Sequence, residues 1–375
     1  MSIFSADDHR YMAKAIQLAK VGAWTTMPNP KVGCVIVRNG EIVGEGWHEW
    51  AGEAHAEIHG LNQAREQAKG ATVYVSLEPC SHYGRTPPCA EALIKAGVAK
   101  VICSTKDPNP AVAGKGLSML ENAGVAVSCG LLAMEALSLN EGFVKRMKTG
   151  RPWVKAKLGM SMDGRTAMAS GESRWITCSD ARSDVQRLRA ASCAIISGVG
   201  SIIEDDSSLT VREQELRLPN SKLISKKQPL RVVVDSKLRT PASAKVITSN
   251  GRCLIVATER ADISNKQTLL ASGAEVLIQE NNTGQVCLKL LLEELGQRGC
   301  NEVLVEAGAT LAGAMLQECL LDEIILYMAP VLLGSSAKPL FDLSLATISD
   351  KQALVIADIR SVGQDWRITA RPIYK

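Results

Sequence analysis

Over residues 7–21, in "DDHRYMAKAIQLAKV", apolar positions recur every three or four residues, a spacing that predicts an amphipathic helix. Beyond it the pattern shortens. "VGCVIV" and "EIVGEG" read as two strands, and the "RNGE" between them predicts a hairpin. A helical pattern from about residue 55, strand "ATVYVSL", a helix from about 88, strand "KVICS", a helix from about 116 and strand "VAVS" complete the first half. Short apolar runs alternating with helices predict a layered α/β sheet. The segment "LNEGFVKRMKTGRP" joins a cationic run to Gly150 and Pro152 and is expected to be a linker, dividing the chain into domains 1–147 and 148–375.

A second α/β alternation begins at "WVKAKLGMSMDG" and runs through "CAIISGVG", "LRVVVDS", "CLIVAT", "AEVLIQ", "EVLVEAGA" and "DEIILYMAP". Helical patterns separate several of these, notably "SDARSDVQRLRAA" and "CLKLLLEELGQRG". The polar "REQELRLPNSKLISKKQ" is expected to be a long surface loop. No internal repeat or low-complexity tract interrupts the pattern, and 375 residues exceed what one hydrophobic core usually organises.

Composition changes this picture little, except by exclusion. Hydrophobic residues make up 46% and charged residues 22%, values of a folded globular chain. The net charge of +4 is spread: residues 1–150 carry 15 Lys and Arg against 14 Asp and Glu, and residues 151–375 carry 28 against 25. Neither half is a basic nucleic-acid binder by charge. The N-terminus has no apolar run behind a basic start, so it reads as a helix and not a signal peptide, and no stretch predicts a membrane span. Eleven cysteines, mostly in apolar strand-like settings such as "GCVIV" and "RCLIV", are expected to be reduced thiols of a cytoplasmic protein.

All five histidines lie within the first 82 residues. His55 and Glu57 form His-x-Glu, and Pro79-Cys80 follows 23 residues after Glu57, with Cys89 beyond. One imidazole and two thiols leave a fourth position open, which is the catalytic form of a zinc site. Zinc of that kind makes water acidic near neutral pH, and Glu57 is placed to shuttle protons from it. His55 opens a helix and Cys89 follows Pro87-Pro88 at the start of another, so the ligands are expected to converge at helix N-termini. His-x-Glu followed by P-C-x-x-C marks zinc nucleobase deaminases, but here eight residues separate the cysteines. A structural zinc clip that recruits His59 or His82, or two unrelated buried thiols, are the alternatives.

The insert "CSHYGRTPPC", with "NPKVGCVIV", "HAE" and "DPNPAVAGKG", resembles the deaminase domain of the bifunctional riboflavin-biosynthesis deaminase/reductase family. The second half resembles its reductase partner at "KLGMSMDGRTA", "SGESRWIT" and "VEAGATLAGAML", so the resemblance spans the chain. It implies a cytidine-deaminase-like three-layer α/β/α domain followed by a dihydrofolate-reductase-like α/β domain. It also implies one Zn2+ per chain, held by His55, Cys80 and Cys89, and NADPH. The implied chemistry is deamination of a diamino-ribosylamino-pyrimidinone 5′-phosphate, then reduction of its ribosyl group to a ribityl chain. Asn29, His48, His82, Arg85 and Asn109 are the implied substrate residues of the first reaction. Asn29 and Asn109 also stand in Asn-Pro pairs, which commonly start turns. Ala54 and Arg85 depart from the family's frequent Pro and Lys, and neither departure removes a ligand.

No G-x-G-x-x-G follows the first strand of the second half, which argues against a standard Rossmann nucleotide site. The best phosphate cradle is "EVLVEAGATLAGAML", where a strand passes through Gly308 into a helix; "ISGVGSIIEDD" supplies a second such turn at Gly198 and Gly200. Alone, either turn is equally a plain strand-to-helix connection. The resemblance places Gly159, Trp175, Ser201, Asp205, Ser236, Gly308, Ala309, Thr310, Leu311, Ala312, Gly313 and Ala314 on the cofactor. It places Lys157, Ser173, Arg189, Leu209, Arg212 and Glu306 on the sugar phosphate, with Arg189 and Arg212 as its cations. Trp175 equally suits simple packing, "EDD" a solvated turn and Lys157 an edge-strand charge. Without histidine the proton donors to choose from are Asp205, Lys157 and Glu306, with Asp205 and Lys157 preferred. A nucleic-acid editing deaminase with an accessory domain is the alternative, and the near-neutral first half weighs against it. Small-molecule partners are expected, with no nucleic acid and no membrane; a homo-oligomer is left open.

Overall fold

The computed structural model describes residues 4–81, 83, 87–110 and 112–374. The chain folds as two compact units, one ending at Gly150 and one beginning at Arg151.

In the first unit the strands are β1 (Gly33–Arg38), β2 (Glu41–Trp47), β3 (Thr72–Val75), β4 (Lys100–Cys103) and β5 (Ala126–Cys129), in the spatial order β2-β1-β3-β4-β5. β1 and β2 form the predicted hairpin, and Asn39 and Gly40 at its turn both have positive φ, 52° and 83°. β3, β4 and β5 run parallel. The helices are α1 (Ala6–Val21), α2 (Ala56–Ala64), α3 (Cys89–Lys95), α4 (Lys115–Asn122), α5 (Ala133–Leu139) and α6 (Glu141–Thr149). Helix α1 starts at a capping box in which Asp8 N–H donates to Ser5 Oγ at 3.1 Å and Ser5 N–H to Asp8 Oδ2 at 2.8 Å.

Its Met12, Ala15 and Ile16 pack on Val35, Val37 and Ile102 of one sheet face, together with Leu131 and Ala136. The other face, through Cys34, Ile36, Val73 and Val101, meets Ala56, Leu93 and Leu120 of α2, α3 and α4. Three layers therefore form, α/β/α. Helix α2 lies almost on the backbone of β2, because a Cβ at Gly46 would stand 2.3 Å from Ala56 O. That contact sets the height of the α2 N-terminus, which carries His55 and Glu57.

The expected linker at 139–152 is instead helix α6, closed by Gly150 at φ 73°. Asn140 ties it to the first unit, accepting from Lys31 N–H at 2.8 Å and donating to Lys31 O at 2.9 Å. The cationic run is the last turn of that helix, where Arg146 and Lys148 complement the exposed carbonyl end.

The second unit contains β6 (Trp153–Ser161), β7 (Arg165–Ala167), β8 (Ala194–Gly198), β9 (Leu230–Val234), β10 (Cys253–Ala257), β11 (Glu275–Ile278), β12 (Glu302–Val305), β13 (Glu323–Ala329), β14 (Lys338–Pro339), β15 (Ala353–Val362) and β16 (Asp365–Ile373). Nine of them form one sheet, β11-β10-β9-β8-β12-β6-β13-β16-β15, in which only β16 and β15 run antiparallel to their neighbours, while β7 pairs with β14. Its helices are α7 (Ser179–Ala190), α8 (Val199–Asp205), α9 (Glu213–Leu216), α10 (Ser221–Ile224), α11 (Lys245–Thr248), α12 (Ile263–Ala271), α13 (Leu288–Gln297) and α14 (Ala309–Gln317). One sheet face packs on Leu291, Leu295, Met315 and Leu316 of α13 and α14, the other on Val199, Ile202, Val246 and Leu269 of α8, α11 and α12.

Two features differ from expectation. The supposed surface loop at 212–228 contains α9 and α10, pinned because Leu216 and Ile224 are buried. The chain also ends in a long antiparallel ribbon, β15-β16, which the apolar runs did not announce.

Candidate active sites

The first site assembles at the N-termini of α2 and α3. His55 is the N-cap of α2, and Cys89 is the first residue of α3 behind Pro88. Cys80 is in the preceding loop and accepts the Cys89 backbone N–H at 3.2 Å, so the helix end reaches it too. His55 Nδ1 stands 3.3 Å from Cys89 Sγ and 3.5 Å from Cys80 Sγ. Tetrahedral zinc with Zn–S of about 2.3 Å and Zn–N of about 2.0 Å needs ligand atoms roughly 3.5–3.8 Å apart, so the donor set fits that ion in chemistry and spacing.

The two sulfurs are not equivalent. The Cys89 thiol and backbone N–H, together with His55, pull Cys80 down to about 4, whereas Cys80 and burial hold Cys89 protonated well above its usual range. A divalent cation takes the place of such shared protons. Among the described residues His55, Cys80 and Cys89 are the group that can hold a metal. His59 is not in it; its Nδ1 lies 3.9 Å from Glu49, so the clip through His59 is not built. His82 and Arg85 lie outside the described residues.

Glu57, in the first turn of α2, is 3% exposed. Burial pushes its carboxyl up to about 7, against the opposing pull of His55, and it hydrogen-bonds Cys89. It thus sits beside the ligand atoms with its proton affinity raised towards neutrality, as a proton carrier requires. His48, expected to touch substrate, is 2% exposed with both ring nitrogens engaged. Its Nδ1 lies 3.1 Å from Ala54 O, which only accepts, so Nε2 is left to accept from Asn29 Nδ2 at 3.1 Å. His48 therefore orients Asn29. Asn109 is held by its own backbone N–H, donated to Asp107 Oδ1 at 2.8 Å.

In the second unit, neighbouring parallel strands end together. Gly198 closes β8, Ser236 follows β9 and Glu306 follows β12, while β6 carries Lys157 and Gly159. Strand order reverses here, with β12 returning between β8 and β6, the usual place for a ligand crevice in an open α/β sheet. The two strand-to-helix turns face each other: a Cβ at Gly308 would lie 3.8 Å from Ser201 Oγ, and one at Gly198 3.8 Å from Leu311 Cδ2. Helix α14 has no side-chain cap, so its first N–H groups are available to an anion.

Only part of the predicted 308–314 stretch is open. Gly308 and Thr310 are exposed, whereas Ala312 and Gly313 are buried, and a Cβ at Gly313 would lie 2.3 Å from Asp342 O. Gly313 is there for chain packing. Trp175 is 64% exposed with the Arg182 guanidinium 4.4 Å from its ring centroid, a flat platform more than a core residue. Asp205 Oδ1 lies 3.7 Å from Arg174 Nη2. Sequence reasoning missed both arginines, whose signal was their place around Trp175 in "SRWITCSDAR".

Lys157, Arg189 and Glu306 converge. Arg189 grips Glu306 with Nε–Oε1 at 2.6 Å and Nη2–Oε2 at 3.0 Å, and gives Nη1 to Thr210 O at 2.9 Å. Lys157 Nζ lies 3.2 Å from Glu306 Oε2. These cations hold Glu306 down at about 2 despite its burial. Arg189 thus gives three of its five N–H donors to Glu306 and Thr210, and Glu306 is no proton donor near neutral pH. Arg212 is paired with Glu215 at 2.8 Å, and Leu209 is buried at a positive φ of 52°. Ser173 is half-buried in the segment leading to Trp175.

Residues 152–368 match the family model described as the RibD C-terminal domain, and residues 5–105 match the cytidine and deoxycytidylate deaminase zinc-binding region. The riboflavin biosynthesis protein RibD of Escherichia coli (strain K12) is 50% identical over 362 residues, covering 96% of this chain and 97% of that protein. Its counterpart in Haemophilus influenzae is 48% identical over 374 residues, 98% of each chain. Among solved structures, Acinetobacter baumannii RibD, form 1, superimposes with a TM-score of 0.90 at 46% identity, covering 98% of this chain and 99% of that one. A Thermotoga maritima diaminohydroxyphosphoribosylaminopyrimidine deaminase/5-amino-6-(5-phosphoribosylamino)uracil reductase gives 0.83 at 28% identity, again over 98% and 99%.

Proposed function

The chain belongs to the riboflavin-biosynthesis deaminase/reductase family, and from that premise we propose how its residues divide the two reactions. The enzyme deaminates 2,5-diamino-6-ribosylamino-4(3H)-pyrimidinone 5′-phosphate hydrolytically and then reduces the ribosyl side chain to give 5-amino-6-(5-phosphoribitylamino)uracil. Its cofactors are Zn2+ and NADPH. We assign deamination to the unit ending at Gly150 and reduction to the unit beginning at Arg151, which moves the expected 147/148 boundary to the end of α6.

When bound, zinc makes water acidic near neutral pH, and NADPH carries the transferable hydride. His55, Cys80 and Cys89 would hold the metal. Glu57 takes a proton from the attacking water, passes it to the ring nitrogen and then delivers one to the departing amine, so ammonia leaves and a carbonyl remains. Asn29, oriented by His48, reads the amide edge of the pyrimidine, with Asn109, His82 and Arg85 as its other contacts. In the second reaction C1′ receives the hydride and the ribose oxygen a proton, which opens the ring. Trp175, Gly159, Ser201, Ser236 and the 308–311 turn are assigned to the dinucleotide. Lys157, positioned by Glu306, and Asp205 remain the proton donors of choice, and Ser173, Leu209 and Arg212 line the sugar phosphate.

The observation that carries this reading is the convergence of one imidazole, two thiols and the buried Glu57 at two helix N-termini. Incubating the full chain with the diamino-pyrimidine phosphate tests it. Ammonia should appear without NADPH, and cofactor absorbance should fall only when NADPH is added. Ammonia release with no NADPH consumption would remove the reductase half of the reading.

None of the eleven cysteines is joined in a disulfide, which suits a reducing cytoplasm. Among the described residues no helix is long and apolar enough to cross a membrane. A homo-oligomer is favoured by β15, an edge strand with Leu354, Val355, Ile356 and Ile359 exposed. Paired antiparallel with a second copy about Ile359, it would set Asp358 against Arg360 twice. Light scattering should then give at least twice the 40.1 kDa chain mass. A monomer at micromolar concentration would exclude that pairing.

A further inference from the structure

Between the last residues of the β3 segment and the zinc-binding loop stands Glu78, 5% exposed. Its carboxylate is met by three backbone donors: Asp107 N–H at 3.0 Å and Gly114 N–H at 2.9 Å on Oε2, and Gly116 N–H at 2.9 Å on Oε1. Its own N–H donates to Thr105 O at 2.9 Å. A single side chain thus ties together Asp107, Gly114 and Gly116, which lie on either side of Asn109 in the chain. Asp107 continues the chain of bonds, since its Oδ1 accepts the Asn109 N–H.

The contact is tight on the other side as well. A Cβ at Gly116 would lie 2.0 Å from Pro79 O, so the two backbones touch where only glycine fits. Pro79 fixes one backbone dihedral between Glu78 and Cys80. The metal-ligand loop and the substrate loop are therefore built on one carboxylate.

The geometry points to Glu78 as a positioning residue of the deamination site, which holds Asn109 at a fixed offset from Cys80 and so from the reacting carbon. This rests on the reading that the zinc site deaminates and that Asn109 meets the substrate. The carboxylate is spent on backbone N–H groups, so its role is positioning and not catalytic. Its effect belongs in substrate binding more than in the chemical step, because Glu57 is left intact.

The test is a double-mutant cycle in the full-length chain: Glu78→Gln, Asn109→Ala and both together, read by zinc content and by kcat and KM for ammonia release. Gln turns an N–H-bearing group towards backbone donors and loses an acceptor. Glu78→Gln should raise KM about tenfold or more, with kcat within about threefold and one zinc retained. Added to Asn109→Ala it should do no further harm. Additive KM increases, loss of zinc, or a fall in kcat at unchanged KM would each overturn the assignment. Should Glu78→Gln fail to fold, Glu78→Asp, which keeps the charge but retracts it by one methylene, must show the same non-additive KM pattern. Wild-type chain that releases no ammonia would instead sink the deaminase reading itself, and the role of Glu78 with it.

Discussion

Glu57→Gln should abolish ammonia release, lowering kcat roughly 10³-fold or more, while the chain keeps its zinc and still reduces the deaminated intermediate with NADPH. Three observations set the size of this effect. Glu57 is buried two residues from His55, and it hydrogen-bonds Cys89, so its carboxyl borders the ligand atoms. Burial raises its proton affinity and a bound cation opposes that shift, which suits a group that must both accept and return a proton. The other buried carboxylate near the loop, Glu78, is spent on three backbone N–H groups and cannot substitute.

Glutamine keeps the shape and the hydrogen-bonding reach but can neither accept nor release a proton near neutral pH. Metal analysis and steady-state ammonia assays check the outcome. Loss of zinc together with activity would make Glu57 a support of the metal site instead of its proton carrier. A divalent cation at the ligands favours the Glu57 anion, so the acid limb of the wild-type kcat profile should fall below about 7 and vanish in the variant.

How much of this could be read from the chain depends on distance along it. His55, Glu57, Cys80 and Cys89 were legible because His55 and Cys89 stand at recognisable helix starts and all four lie within 35 residues. The buried parallel strands of both units were legible because such strands are near-continuous apolar runs. Helix α6 was not, since a mostly polar helix carrying Lys145, Arg146 and Lys148 before Gly150 and Pro152 has the composition of a linker. What fixes it is Asn140 bonding to Lys31, 109 positions away.

Strand β15 was hidden for a related reason. "ALVIADIRSV" is exposed on both faces in the single chain, so it lacks the alternation that marks a half-buried strand. Lys157, Arg189 and Glu306 were each named, but their mutual commitment was not readable. It follows from β6 lying beside β12, with α7 over their ends, which sets Arg189 117 positions from its carboxylate. Glu78 gave one signal that went unused: a charged residue directly after a buried apolar strand needs a partner, and here the partner is backbone.

The Lys157–Glu306–Arg189 group yields the second large effect. Glu306→Gln should cost roughly 3 kcal/mol at neutral pH, because it leaves the largely buried Arg189 facing Lys157 without an intervening charge. Linkage gives the same size. The carboxyl sits at about 2 in the folded chain against an ordinary 4.5, and each unit of difference is worth about 1.4 kcal/mol. The folded value is the depressed one, so the contribution is complete above 4.5 and is lost as pH falls through the folded value near 2. Urea unfolding of both chains should therefore show the gap shrinking to less than half between pH 7 and pH 3, since only the wild type carries this titration. The same substitution frees Lys157 from its fixed position, and NADPH oxidation with the deaminated intermediate should fall roughly 10²-fold while ammonia release is unchanged. A pH-independent gap would mean that Glu306 is not held as the anion, and unchanged reduction that Lys157 needs no such support.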